Sequence, residues 1–217
     1  MSELPAQMTP AHMLALLFFF AAVPFMAIMM TSFTKLAIVF SLIRNALGTQ
    51  QVPPGGVISG LALIFSVYIM SPVISDCYDI VKTEDFASQD VQGMVRVIDK
   101  AKEPFIDFLK KHARKRERKF FAESIKYLWP DKRQYDKSDL IVLIPAFAVS
   151  ELTSAFEIGF LIYLPFIVID MIISNILLAM GMMMVSPIII SVPFKLLLFV
   201  TLEGWTRIIH GLILTYR

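Results

Sequence analysis

The sequence predicts an all-α integral membrane protein, built of broken helical hairpins and carrying a small helical domain outside the membrane. Three observations predict it. Apolar residues make up 57% of the 217 positions and mean hydropathy is +0.69, whereas charged residues are only 18%; a soluble domain is about 45–50% apolar and about 25% charged. The charges are also segregated. Residues 1–76 carry four (Glu3, Lys35, Arg44, Asp76), residues 77–139 carry 27, and residues 140–217 carry seven. Finally, the two greasy blocks are punctuated by Pro and Gly, which break helices into pieces of membrane length. Three segments follow: hydrophobic helices over 1–76, a polar helical domain over 77–139, and hydrophobic hairpins over 140–217.

Residues 11–33 hold no charge. At 1.5 Å per residue they cross a hydrocarbon core of about 30 Å. A cleaved signal peptide needs a basic leading region, and residues 1–10 contain no Lys or Arg; a retained span is expected, with Pro24 as its candidate kink. Residues 34–47 read as a helix ending at Gly48. The stretch 48–56 (GTQQVPPGG) cannot continue a helix. Residues 57–75 form a second charge-free span. Gly56 and Gly60 make a G-x-x-x-G at its start, a spacing that allows close approach of helix backbones.

The polar block contains amphipathic spacings: Val91, Met94, Val95 and Ile98, then Phe105, Phe108, Leu109 and His112, then Phe121, Ile125 and Leu128. Pro104 suits a helix start. Residues 114–119 (RKRERK) hold five basic residues in six. They read as a solvated helix face or as a face for lipid headgroups or a partner. Six residues supply too few phosphate contacts for nucleic acid, and the net charge of +2 points the same way.

Residues 140–180 are apolar apart from Glu151, Glu157 and Asp170. A straight helix of that length would be about 60 Å, twice the bilayer core. It is therefore expected to bend or turn back, at Pro145 or Pro165. Residues 181–187 (GMMMVSP) break the chain, and 188–216 form a last apolar segment interrupted by Pro193, Lys195, Glu203 and Arg207. Lys35 and Arg44 between the first two spans place that connection in the cytoplasm and the polar domain on the other side. The polar domain's own excess of basic over acidic residues (15 against 12) is discounted, because its length passes the roughly 60-residue limit of the rule.

Enzymatic constellations are absent from the sequence. His12, His112 and His210 lack an i,i+4 partner; there is no H-E-x-x-H, G-x-S-x-G or Walker loop, and the lone Cys77 excludes an internal disulfide or a Cys-rich zinc site. No cofactor is expected. Buried charge stands out instead. A charge at mid-bilayer costs at least about 2.5–3.5 kcal/mol, so Glu151, Glu157, Asp170 and Lys195 are expected to face protein or water. Glu151 and Lys195 lie on either side of the 181–187 break, so a hairpin would let them meet, within one subunit or between copies; otherwise each is solvated separately. Glu157 sits among Ser154, Ala155 and Gly159, a cluster suited to tight helix packing. With Gly56, Gly60, Asp170 and Asn175, Glu157 and Gly159 are the expected packing and buried polar positions.

Met182, Met183 and Met184 are the second feature. Adjacent helical residues are about 100° apart, so three in a row cannot share one face, and flanking Gly181 and Pro187 favour a loop. Irregular backbone at membrane depth is tolerated where protein buries it or a cavity wets it. Methionine is soft and adaptable; a ring of such loops would seal a pore, while the plainer reading is gap-filling in a core. Two rival functions remain open: a small-solute or ion transporter using Glu151, Glu157 and Asp170 as a coupling-ion site, and a membrane anchor whose working part is 77–139.

The stretches SLIRNALGTQQVPPG (41–55), PAFAVSELTSAFEIGFLIYLPFIVIDMIISNILLAMGMMMVSP (145–187) and SVPFKLLLFVTLEGW (191–205) resemble the SctR (YscR/FliP) family, inner-membrane export-apparatus proteins of bacterial type III secretion systems and flagella. The resemblance implies a homo-oligomer of about five copies, joined by two companion membrane subunits in a cone-like gate that passes unfolded secreted polypeptides. It implies that Met182, Met183 and Met184 form a gasket closing the pore. It implies an ion pair between subunits formed by Glu151 and Lys195. It further implies a complex in the inner membrane displaced toward the periplasm, so that apolar segments need not all span lipid. Flagellar members carry a cleaved signal peptide, whose marks are missing here, and that favours an injectisome member.

Overall fold

The computed structural model describes residues 28–49, 52–83, 99–129 and 136–217, together with 13, 14, 17, 18, 21 and 97. Most of the expected first span, its Pro24, and the Val91–Ile98 periodicity lie outside the described residues. Among the described residues the chain is helical, without strands. Its helices are α1 (Phe33–Ala46), α2 (Gly55–Thr83), α3 (Glu103–His112), α4 (Lys115–Leu128), α5 (Leu140–Ala179), α6 (Pro187–Thr201) and α7 (Gly204–Leu214). The chain is thus an all-α membrane protein. Helices α2 and α5 are each long and apolar enough to cross a bilayer, and the bent pair α6–α7 makes a third such element if it is one span.

A short apolar helix, α1, lies at the centre. Leu36, Val39, Phe40 and Ile43 of α1 repeat at helical spacing and are fully buried. They meet Ile58 and Ala62 of α2, Ala155 and Phe166 of α5, Phe199 of α6 and Leu212 of α7. Phe40 sets its ring edge-on to Phe65 and Trp205. At Gly159 on α5 the approach of α1 is close: a Cβ there would stand 2.2 Å from Leu42 Cδ1. The small-residue expectation at Gly159 thus coincides with a tight crossing. Gly56 and Gly60 are different. Gly56 is exposed and Gly60 half-buried, and neither has anything within 4 Å of an added Cβ, so within the chain their spacing brings no helix close.

One expectation is corrected. Residues 140–179 do not turn back; they form one continuous helix of 40 residues, with Pro145 and Pro165 inside it. Each proline removes a single N–H from the ladder, and the rest of the helix carries through. The final apolar segment is two helices, interrupted at one of the four positions expected to punctuate it. It breaks at Glu203, whose φ is +52°, and α6 and α7 are bent by 60° there. The second span also runs past its charge boundary at residue 76, to Thr83.

The polar helices lie on this scaffold. Phe108 and Leu109 of α3 and Ala113 pack with Leu143, Ala146 and Phe147 of α5 and Met70 of α2. Ala122 and Ile125 of α4 cover Val142. The spacing of Phe105, Phe108, Leu109 and His112 therefore marks a genuine inner face, while Leu128 is exposed. Polar helices cover only the first part of α5; beyond Phe166 most of its side chains are exposed up to the hairpin turn.

Candidate functional site

The turn between α5 and α6 is built by local rules. Gly181 has φ +76°, the left-handed conformation that closes a helix at low cost. Its N–H donates to Leu178 O at 3.0 Å, and the Met182 N–H to Leu177 O at 2.9 Å, the paired bonds of a Schellman motif. Pro187 opens α6 at its first position. Between them Met182, Met183 and Met184 form an irregular loop, as their flanks predict. Met183 is 82% exposed and Met184 fully so. They therefore fill no gap in the core of this subunit.

Two ion pairs, one buried and one partly exposed, lie below the loop, and neither is the pair that sign and position suggested. Glu151 accepts from Lys35 of α1 at 2.9 Å, with side-chain exposures of 3% and 5%. The Tyr216 hydroxyl donates to the other Glu151 oxygen. Lys35 Nζ also stands 4.1 Å from the centroid of the Tyr216 ring, a cation–π contact. Tyr216 in turn stacks on Phe108 of α3. His112 lies 5.1 Å from the Tyr216 ring; burial first, then Lys35 and Lys111, lower its pKa from 6.5 to about 4.

The second pair joins the hairpin arms. Lys195 Nζ of α6 donates to Asp170 Oδ2 of α5 at 2.6 Å and to the carbonyl of Ala46 at 3.1 Å. Ser191 Oγ donates to Asp170 Oδ1 at 2.6 Å. Ala46 is the last residue of α1, where carbonyls lack helical partners and the helix dipole favours a cation. Thus Glu151 and Lys195 do not meet within the subunit; each is buried on a different partner.

The remaining carboxylate, Glu157, is exposed rather than buried. It accepts two bonds from the Arg114 guanidinium, at 3.0 and 2.5 Å, while the Arg114 backbone N–H donates to Ser150 Oγ at 2.9 Å. Arg114, first of the basic run, is therefore a strap across α5. Asn175 is likewise exposed. Glu151, Glu157 and Asp170 have three separate cationic partners and do not converge on a shared ion site. Among the described residues no three His, Cys, Asp or Glu side chains gather to hold a metal.

Sequence reasoning overlooked Lys35, Arg114, Ser191 and Tyr216 as partners. For Lys35 the signal was present, since it is a lone cation in an apolar run like Lys195. Tyr216 carried none; only the fold brings it to Glu151.

The FliP family profile matches residues 16–212. The chain is 51% identical to the Yop proteins translocation protein R of Yersinia pestis, over 100% of this chain and 99% of that protein. It is 47% identical to the hypersensitivity response secretion protein HrcR of Ralstonia nicotianae, over 91% and 93%. It is 40% identical to the surface presentation of antigens protein SpaP of Salmonella typhimurium, over 94% and 95%.

Proposed function

The chain belongs to the FliP family, and from that premise we propose that it is the pore-forming subunit of a type III secretion export gate, passing unfolded proteins across the bacterial inner membrane. It is an apparatus protein and not an enzyme. The names of its relatives, a translocation protein and a secretion protein, support the export role. One observation carries the gate: three consecutive methionines sit at the apex of a long apolar hairpin, with Met183 and Met184 offered outward rather than into the subunit. Side chains so placed have their partners elsewhere. Around a common axis, loops from about five copies would hold back water and ions, then part for an extended polypeptide, because methionine adapts to irregular surfaces.

The assembly we envisage includes two companion membrane subunits and stands displaced toward the periplasm. The bare apolar second half of α5 and the outer face of α6, including Phe160, Leu161, Val168, Ile172 and Leu197, call for lipid or protein cover. A Glu151–Lys195 pair between subunits would require both residues to leave Lys35 and Asp170. A charge exchange decides that point: Lys195→Glu should weaken assembly, and adding Glu151→Lys should partly restore it.

The gate itself is tested by replacing Met182, Met183 and Met184 with alanine in cells carrying the assembled complex. Ion leakage should rise while the complex persists. Unchanged leakage would remove the gasket. The mass of the detergent-extracted complex tests the stoichiometry.

A further inference from the structure

The hairpin that carries the methionines is poorly anchored by apolar packing. From residue 167 to residue 190, across the end of α5, the loop and the start of α6, Leu177 is the single buried residue. Exposed neighbours on both arms, such as Ile172, Ile176, Ile188 and Ile189, have no inner face to hold. Below this bare stretch, the first buried side chains of α6 are Ser191 and Lys195, and both reach Asp170. Lys195 extends the connection to the end of α1 through Ala46 O. There the chain turns at Gly48, φ +76°, where an added Cβ would stand 2.9 Å from Val192 Cγ2 of α6. Three elements are thus pinned at one level by a buried cation that satisfies a carboxylate and a helix end together.

A cavity of about 300 Å³, lined by Asn45, Gly48, Tyr163, Asp170, Ile188 and Lys195, opens beside the pair. At about 30 Å³ per molecule it has room for several waters. Its polar residues, Asn45 and Lys195, allow the Asp170 carboxylate, 36% exposed, to exchange a protein partner for water without being stranded. Tight apolar packing would not allow that exchange.

We propose that Asp170, with Ser191 and Lys195, is the positioning centre of the methionine loop: a hydrated hasp that sets the angle between α5 and α6 and is the pivot about which the apex moves. Its bearing on gating rests on the export-gate reading; its bearing on hairpin geometry does not. Breaking the hasp frees the outer parts of two arms, whose aromatic contact, Phe166 against Phe199, lies on the side of Asp170 away from the loop, whereas breaking an apolar contact in the α1 core loosens the whole subunit.

Paired spin labels on the full chain separate these cases. In a Cys77→Ser background, Leu178→Cys with Ile189→Cys reports the apex, and Tyr68→Cys with Leu161→Cys reports the body; labelled chain is diluted with unlabelled. Asp170→Asn should widen the apex distance distribution by about two-fold, as for release of a hinge, and leave the body pair unchanged. Asp170→Glu, which keeps the charge, should return the apex width toward the parent value. An unchanged apex width in Asp170→Asn overturns the proposal. So does equal widening of both pairs, or an Asp170→Glu distribution as wide as that of Asp170→Asn. A widened apex with no rise in ion leakage in cells keeps the hasp and removes the gasket, so the two readings fail separately.

Discussion

Replacing Lys35 by methionine tests what the buried charges do for the subunit. The ammonium is 5% exposed and bonds a carboxylate that is 3% exposed, so solvent screening is minimal. Its removal leaves Glu151 charged and buried, with only the Tyr216 hydroxyl as a side-chain donor. Breaking a buried pair from one side costs about 3–5 kcal/mol. The surviving tyrosine bond places the cost near the lower limit, about 3 kcal/mol, and loss of the cation–π contact adds about 0.5–2 kcal/mol. For a chain of this size about 1 kcal/mol moves the melting midpoint by roughly 2–4 °C. A total of about 3.5–5 kcal/mol and a fall of roughly 7–20 °C are therefore expected, in thermal unfolding of the detergent-purified chain. The double variant Lys35→Met with Glu151→Met should lose less than Lys35→Met alone, because apolar replacement of a whole buried pair is often neutral. A shift under about 2 °C for the single variant, or simple additivity in the cycle, would refute the argument.

Further expectations concern the same frame. Tyr216→Phe removes one hydrogen bond to a charged acceptor and should cost about 1.5–3 kcal/mol, measured by the same melt. Gly159→Ala should lower stability by about 1–2 kcal/mol through overpacking on Leu42, whereas Gly60→Ala, in open space, should be neutral or raise it by about 0.5–1 kcal/mol; equal effects would show that the crossing at Gly159 is not tight. His112 titrates lower in the fold, at about 4, than at its ordinary 6.5. Its neutral form is the one the fold prefers, so its contribution is complete above about pH 6.5 and is lost as pH falls toward 4. Midpoints measured across that window should fall less steeply in His112→Asn than in the parent.

The linear pattern of this chain decided what each segment must be. Charge segregation marked a membrane protein, the Gly–Pro punctuation located the breaks that follow Leu47 and Met180, and the methionine triplet, flanked by Gly181 and Pro187, favoured a loop, because three adjacent residues cannot share a helical face. These are local constraints, written in composition and period. Partner choice was not local. Lys195 could have met Glu151 on sign alone, yet α1 packs along α5 and takes Lys35 to Glu151, leaving Asp170 for Lys195. The two prolines of α5 show the same limit from the other side. Each disturbs one backbone bond, and whether that stops a helix depends on what packs around it. Neighbours along the chain determine helices and turns through dihedral and hydrophobic preferences. Which buried charges meet depends on the crossing of helices far apart in sequence, and only the tertiary structure supplies that.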